Sequence, residues 1–282
     1  EKWQIIGSFP CVRLPEGRWQ GWNLTWYGFF NATAVLLATC LYLILMGSIS
    51  ASPAPSLFVL ILVLAVCLPA AKIMAYLIEK KSGTFTVGGA SFVGIVIVPW
   101  LIGFINLAGH HGFGPTLPFI PTLAAMSIAY ALGEGVGRLA CISFGCCYGR
   151  ALADCSPGMQ RLFSHHHFIF TGKTKKIAYE HELDGRKVVP IQAITAVISS
   201  LAGLVGCYLF LKGYALSAFM LTLFTTQTWR ILSEFLRADY RGGGKISRYQ
   251  MLSAAALVYA LPVGFWMKES SAGIPALISG LA

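Results

Sequence analysis

Charge is scarce in this 282-residue chain. Only 11% of the residues are charged, whereas 56% are hydrophobic, and a soluble domain carries about 25% charged residues. This composition excludes an ordinary soluble domain and predicts an integral membrane protein. Acidic residues are the rarer kind, 11 against 21 Lys and Arg. The resulting net charge of +10 reflects either membrane topology or attraction to anionic lipid.

Long apolar windows are abundant by contrast, and crossing a bilayer takes about 17–25 residues. Seven windows near that length are Trp26–Met46, Leu57–Ile78, Phe85–Leu107, Leu117–Gly137, Ile191–Leu211, Ala215–Phe235 and Met251–Trp266. They predict an all-α integral membrane fold of about seven transmembrane helices. Because no repeat or low-complexity linker interrupts the pattern, residues 1–282 are expected to form a single membrane domain.

One polar segment separates the fourth window from the fifth. Residues 148–189 contain the runs HHH and KTKK and predict a small extramembrane head, because a loop of this length usually has a function. Most extramembrane Lys and Arg fall on the side of this head. The positive-inside tendency would place that side in the cytoplasm.

Ionisable residues also occur within the apolar windows or at their ends, namely Lys72, Glu134, Arg138, Arg230 and Glu234. Each costs roughly 2.5–3.5 kcal/mol at bilayer depth, so its presence predicts a function. Glu134 precedes Arg138 by four positions, and the two share one helix face. Arg230 and Glu234 have the same spacing. These pairs could serve only to hold the bundle together, but the surplus of positive charge favours a phosphate site.

Short motifs follow one another along the chain. They are Trp26-Tyr27-Gly28, Gly88-Gly89, Gly137-Arg138-Leu139, Gly145, Tyr148-Gly149-Arg150, Pro190 and Gln192, Trp229-Arg230, Glu234-Phe235, Arg237, Asp239, and Ser247, Gln250 and Ser253. In this order, and with seven helices, the region from about Trp26 to Ser253 resembles the bacterial prolipoprotein diacylglyceryl transferases.

The resemblance implies a multi-pass enzyme of the bacterial cell (inner) membrane that uses no cofactor. Such an enzyme moves a diacylglyceryl group from phosphatidylglycerol, or a similar anionic phospholipid, to the cysteine thiol of a lipoprotein precursor. The resemblance makes Arg138, Arg230 and Glu234 catalytic. The substrate-binding residues would be Tyr27, Lys72, Gly88, Gly89, Gly149, Arg150, Gln192 and Arg237.

The sequence departs from the family pattern at one position that matters for chemistry. Val87 stands where the family has a histidine, proposed there as a base, before the paired glycines. Valine cannot accept a proton, so another base is expected, among Glu234, Glu134 and a head histidine. Two alternatives stay open. One is a divergent member with another acceptor or lipid reaction, and the other is a non-enzymatic lipid-binding subunit. The family also places its head outside the cytoplasm, opposite to the charge distribution.

Thiols cluster after the fourth window. The candidate zinc ligands there are Cys141, Cys146, Cys147 and Cys155, with the run His165-His166-His167. Their spacing lacks a Cys-x-x-Cys pair, so packing is the default interpretation and no metal is expected. A thiol at Cys146 or Cys147 close to Arg138 would have a lowered pKa and be reactive.

Two further patterns are interpreted as surface features. The run Gly242-Gly243-Gly244-Lys245 follows no predicted strand and lacks the full phosphate-loop pattern, so a flexible basic loop is expected. Basic head residues alternate with Glu180, Glu182 and Asp184. No nucleic-acid partner is therefore predicted.

Overall fold

The structure is a computed structural model that describes residues 3–80, 86–239, 246–266 and 275–281. Lys81 and the glycine run 242–244 with Lys245 lie outside these residues. Within them, long helices occupy all seven predicted windows. These are α1 (Trp26–Ser48), α2 (Pro53–Glu79), α3 (Val87–His110), α4 (Phe119–Phe144), α7 (Ile191–Leu211), α8 (Ala215–Ser233) and α9 (Arg248–Trp266). The prediction of a mostly helical membrane protein is confirmed.

Five of these helices, α1 to α4 and α7, are long and apolar enough to cross a membrane. A chain in lipid must satisfy its backbone hydrogen bonds internally, and long apolar helices do this. Helices α8 and α9, at 19 residues each, are more polar. Length and composition therefore support five membrane spans. The full number of seven spans remains a prediction.

Short elements complete the described part of the chain. They are the strands β1 (Ile5–Arg13), β2 (Trp19–Thr25), β3 (Phe168–Ile169) and β4 (Lys187–Val188), and the helices α5 (Pro157–Leu162), α6 (Lys176–His181) and α10 (Leu277–Leu281). Strands β1 and β2 form an antiparallel hairpin in which Phe9 faces Trp22. The sequence did not predict this hairpin, because the segment has no regular alternation of polar and apolar residues.

The chain divides into two compact units. Unit 1 comprises Glu1–Leu36, Gly133–Val197 and Phe235–Asp239. Unit 2 comprises Leu37–Leu132, Ile198–Glu234 and Tyr240–Ala282.

Unit 2 is built around a core of tightly packed helices. In it α2 packs against α3, α3 against α9, and α8 against α9. Fully buried side chains such as Tyr42, Ile102 and Phe210 fill this core. Gly206 on α7 allows close approach, because a Cβ atom there would lie 2.5 Å from Thr222 Cγ2 and 2.9 Å from Ile128 Cγ1. Small residues at helix contacts are the usual means of bringing membrane helices together.

Unit 1 contains a small second core within the predicted head. Tyr148, Phe170, Ile177 and Val188 are buried against one another there, and β3 pairs with β4. The described segment 148–189 thus folds into short packed elements without a long apolar helix. That it lies outside the membrane stays a prediction.

The two helix glycines Gly206 and Gly103 provide a matched test of the packing in unit 2. Gly206→Ala is expected to destabilise the protein by about 1–3 kcal/mol, because the new methyl group overlaps its neighbours. Gly103→Ala should leave stability unchanged or raise it by up to about 1 kcal/mol, since nothing lies within 4 Å of its Cβ position. Thermal unfolding in detergent, followed by circular dichroism, measures both changes. Equal shifts in the two variants would contradict the close packing at Gly206.

Candidate functional site

The side chain of Arg138 is buried in unit 1, on the last turns of α4. Its Nη2 atom donates a hydrogen bond to Oε1 of Glu134, one turn earlier, and the two side chains are only 9% and 3% exposed. The predicted pairing of these two residues is confirmed. Among the described residues, Arg138 Nε has no hydrogen-bond partner. A buried guanidinium thus retains a donor that a bound anion could use.

Helix α4 ends in a glycine turn that reverses the chain. Gly145 has a φ of +69°, and the N–H of Cys146 donates to the carbonyl oxygen of Cys141 at 3.1 Å. This is the bond expected of a helix end capped by a left-handed glycine. The Nζ atom of Lys175 donates to the carbonyl oxygen of Ser143 at 2.8 Å. A cation is stabilised at this end because the helix C-terminus carries partial negative charge.

The turn brings three thiols together. The Sγ atoms of Cys141, Cys146 and Cys147 all lie within 4.8 Å of one another. Hydrogen bonding to Cys141 and Cys147, together with burial, raises the pKa of the Cys146 thiol well above its ordinary value. The predicted lowering of the pKa is therefore wrong for Cys146, because its neighbours are thiols and it is shielded from water. The reactive role of Cys146 and Cys147 stays a prediction.

A short backbone ladder follows the thiols. Gly149 forms a β-bridge with Arg237, and the N–H of Arg150 donates to the carbonyl oxygen of Leu236 at 2.9 Å. A Cβ atom at Gly149 would lie 2.8 Å from Val189 Cβ, so the ladder requires glycine there. Arg237 is held by Asp239 through two hydrogen bonds of 2.9 Å. The side chain of Arg150 is exposed.

Two further predicted substrate-binding residues also belong to unit 1. Gln192 is buried at the start of α7, and its Nε2 donates to the carbonyl oxygen of Cys146 at 3.0 Å. Its Oε1 has no partner among the described residues. Tyr27 is 40% exposed, and its ring lies 5.4 Å from that of Phe144. The structure thus brings Gln192 to the thiol loop and Tyr27 to the end of α4.

Unit 2 holds the second arginine. Arg230, half-buried on α8, donates a hydrogen bond to the hydroxyl oxygen of Tyr130 and lies 6.0 Å from the centre of that ring. A Cβ atom at Gly88 would lie 3.2 Å from Arg230 Nη1. Gly88 therefore leaves room for the guanidinium. Sequence reasoning missed Tyr130, because no pattern links it to a residue 100 positions away.

Glu234 follows the end of α8 and contacts the start of α9. It accepts a hydrogen bond of 2.8 Å from Ser247 Oγ. The N–H of Ser247 donates to Gln250 Oε1 at 2.8 Å, and the N–H of Gln250 donates to Ser247 Oγ at 3.1 Å. This reciprocal cap, Ser-x-x-Gln, is a signal that the sequence carries. The cap fixes the hydroxyl that contacts Glu234.

The other predicted positions in unit 2 have different surroundings. Lys72 is exposed on α2, and its role in a phosphate site stays a prediction. Gly89 is buried where a side chain would collide with Met74, so this glycine serves the packing of α3 on α2. Val87 is 52% exposed at the first position of α3.

The histidine run and Cys155 do not join the thiol group in the described part of the chain. His167 Nδ1 lies 3.2 Å from the carbonyl oxygen of Phe163. Cys155 Sγ donates a hydrogen bond to the carbonyl oxygen of Ala151 at 3.4 Å. Both residues therefore have local backbone contacts.

An open groove in unit 2 lies beside Trp229, the neighbour of Arg230. It is lined by Ile198, Phe224, Thr225, Thr228, Trp229 and Leu232. The lining is mostly apolar, a surface suited to hydrocarbon chains.

Comparison with known protein families gives a match over most of the chain. A family model described as Prolipoprotein diacylglyceryl transferase matches residues 18–266, most of the chain. No curated protein matches the sequence.

Glu134→Gln tests whether the buried charge of Arg138 depends on its partner. Removing one member of a buried ion pair leaves an uncompensated charge, and a loss of about 3–5 kcal/mol in stability is expected. Glu16→Gln is the control. The side chains of Glu16 and Arg18 are 67% and 78% exposed, so this ion pair should contribute little to stability. Thermal unfolding in detergent measures both variants. A Glu134→Gln protein as stable as the control would show that Arg138 does not need the carboxylate.

Lys175 is expected to make stability pH-dependent. Burial lowers the pKa of Lys175 below its ordinary value of 10.5, so in alkaline solution the unfolded chain binds more protons than the folded one. Stability contributed by this group should therefore rise as the pH approaches 10.5. Lys175→Met should reduce that rise, whereas Lys173→Met, at an exposed position, should not. Unfolding midpoints between pH 7.5 and pH 10.5 provide the measurement, and identical pH profiles for both variants would refute the expectation.

Proposed function

Because the chain belongs to the prolipoprotein diacylglyceryl transferase family, we propose that it transfers a diacylglyceryl group from an anionic phospholipid to a thiol. The donor would be phosphatidylglycerol or a similar lipid, and the acceptor the cysteine of a lipoprotein precursor. We place it in the bacterial inner membrane as a multi-pass enzyme. The observation that carries the proposal is the buried side chain of Arg138, which is paired with Glu134 and whose Nε donor has no partner among the residues that the structure describes.

Arg138 would bind the phosphodiester of the lipid. Glu134 accepts a hydrogen bond from Nη2 and so fixes the plane of the guanidinium, while Nε has no partner within the described ranges. Arginine cannot lose its proton at physiological pH, and its planar fork of donors matches phosphate oxygens. Hydrogen bonds from a charged donor to phosphate in a buried site are stronger than neutral ones.

Arg230 would bind an anion within unit 2. Tyr130 fixes its guanidinium by a hydrogen bond and a ring contact, and Gly88 leaves space beside it. The groove lined by Trp229, the residue that precedes Arg230 in the chain, offers an apolar surface for a fatty acyl chain. A headgroup contact and a chain contact thus lie along one helix, α8.

The reaction forms a carbon–sulfur bond and breaks a carbon–oxygen bond. The acceptor thiol gives its proton to a base, and the thiolate attacks the terminal sp³ carbon of the glycerol that carries the two acyl chains. The C–O bond to phosphate breaks, and glycerol phosphate leaves with the electron pair. The products are a thioether and glycerol phosphate. Arginines contribute because they stabilise the charge that develops on the departing oxygens.

Glu234 is the base that the local contacts favour. Its carboxylate is half-buried and held by Ser247. Glu134 is the alternative carboxylate, but its Oε1 already accepts from Arg138. Val87, at the position of the family's histidine, has no group that accepts a proton.

A second candidate function follows from Val87. With no base at that position, the phospholipid site would serve a different acceptor, such as a small molecule, a glycan or another thiol. A non-enzymatic lipid-binding subunit is the third outcome. Turnover of the phospholipid separates these possibilities.

Purified protein, incubated with labelled phosphatidylglycerol and a lipoprotein-signal peptide that contains cysteine, tests the proposal by mass spectrometry. Thioether-modified peptide together with released glycerol phosphate is expected. Arg138→Ala and Arg230→Ala should each reduce turnover about 10²-fold or more. Arg138→Lys should also be impaired, because lysine lacks the planar fork.

Arg186→Ala is the control, because its side chain is exposed in the head. It should keep its activity. Glycerol phosphate released without peptide modification would favour the second candidate. No turnover of the lipid, or full activity in both arginine-to-alanine variants, would overturn the assignment.

A further inference from the structure

We propose that Cys141, Cys146 and Cys147 form a three-thiolate site for a zinc ion, with the fourth coordination position open to an external ligand. Their Sγ atoms lie within 4.8 Å of one another. Tetrahedral zinc with Zn–S bonds of about 2.3 Å holds its sulfurs about 3.8 Å apart. Small changes of side-chain rotamer would therefore suffice to close the group around one ion.

The backbone is shaped to bring these thiols together. Cys141 lies on the last turn of α4, and the left-handed Gly145 reverses the chain so that Cys146 returns to the helix end. Neighbouring side chains of an extended chain point to opposite sides. Cys147 instead has a φ of +55°, a region that residues other than glycine rarely adopt. A strained conformation of this kind is typical of functional sites.

The loop is also anchored from outside. Gln192 Nε2 donates a hydrogen bond to the carbonyl oxygen of Cys146. The N–H of Ile177 donates a hydrogen bond to the carbonyl oxygen of Gly145 at 3.1 Å. Cys146 is buried, and Cys141 and Cys147 are half-buried. The thiols are therefore held in place by contacts that do not involve the sulfur atoms.

The chemistry of the group selects the ion. Sulfur ligands favour soft or borderline ions such as Zn²⁺ and Cu⁺ over Mg²⁺ or Ca²⁺. Three thiolates leave a net charge of −1 with Zn²⁺ and −2 with Cu⁺. Arg138 interacts electrostatically with Cys141 and Cys147, and the zinc complex leaves less uncompensated charge in this buried loop than the copper complex does. Zinc is thus the better match.

Three protein ligands and one open position are the arrangement of catalytic rather than structural zinc sites. A thiol bound to zinc is deprotonated. An acceptor cysteine at the open position would therefore release its proton to water and be presented as a thiolate, in place of deprotonation by Glu234. This role of the open position rests on the proposed transferase function, whereas the zinc site itself does not.

Zinc content of the full-length protein in detergent provides the test, measured by mass spectrometry after equilibration with Zn²⁺ and removal of unbound ion. One zinc per chain is expected. Cys146→Ser and Cys147→Ser should each lose most of it. Cys155→Ser is the matched control in the same unit and should keep the full amount.

Cys147→Gly distinguishes loss of a zinc ligand from loss of folding, because glycine adopts the left-handed conformation of this position without strain. This variant should keep the helical circular dichroism of the parent and still lose zinc. The proposal is overturned if the parent binds no zinc, or if Cys146→Ser, Cys147→Ser and Cys147→Gly all retain it.

Cobalt substitution tests the open position without turnover. Co²⁺ bound by thiolates shows charge-transfer absorption, and a cysteine-containing peptide should increase this absorption while the same peptide with serine should not. Bound cobalt that is insensitive to the cysteine peptide would refute the open position. Failure of lipid turnover with zinc bound would instead refute the transferase function alone.

Discussion

The end of α4 depends on burying positive charge where water is scarce. Arg138 is compensated by Glu134 one turn earlier, and Lys175 is placed at the helix C-terminus against the carbonyl oxygen of Ser143. Both arrangements offset the cost of desolvating a cation, the first by an opposite charge and the second by the partial charge of a helix end. Lys175 directly precedes α6, and the N–H of Ile177 in α6 donates to the carbonyl oxygen of Gly145, so these contacts hold the start of α6 at the end of α4.

The two arginines are held in different ways. Arg138 is fixed by a carboxylate on its own helix, whereas Arg230 is fixed by the hydroxyl of Tyr130 on α4 and by the space at Gly88. The arrangement at Arg138 leaves Nε without a hydrogen-bond partner in the part of the chain that the structure describes. Fixed, charged donors that keep capacity for an anion are what phosphate binding requires. This property, more than the number of basic residues, supports a phospholipid substrate.

The features that the sequence predicted are those with local causes. The helices follow from continuous apolar windows, and the pair Glu134–Arg138 follows from spacing along one helix. The cap formed by Ser247 and Gln250 was not predicted, although its Ser-x-x-Gln pattern is also local. The features that were missed depend on residues far apart in the chain. Tyr130 reaches Arg230, and Lys175 reaches Ser143, only because helices or head elements pack together. The hairpin of β1 and β2 was missed because its strands lack alternation.

Sequence alone thus determined the membrane class, the positions of the long helices, the family and the in-helix ion pair. The class, the helices and the ion pair depend on composition or on spacing within one element, and the family depends on the order of short motifs along the chain. Tertiary structure decided the environment of the thiols. Spacing of the cysteines did not indicate a metal site, but the reversal at Gly145 and the left-handed Cys147 bring three sulfurs within 4.8 Å. The reason is physical. A helix end changes the direction of the chain, and distances across such a turn are set by backbone angles rather than by the number of intervening residues.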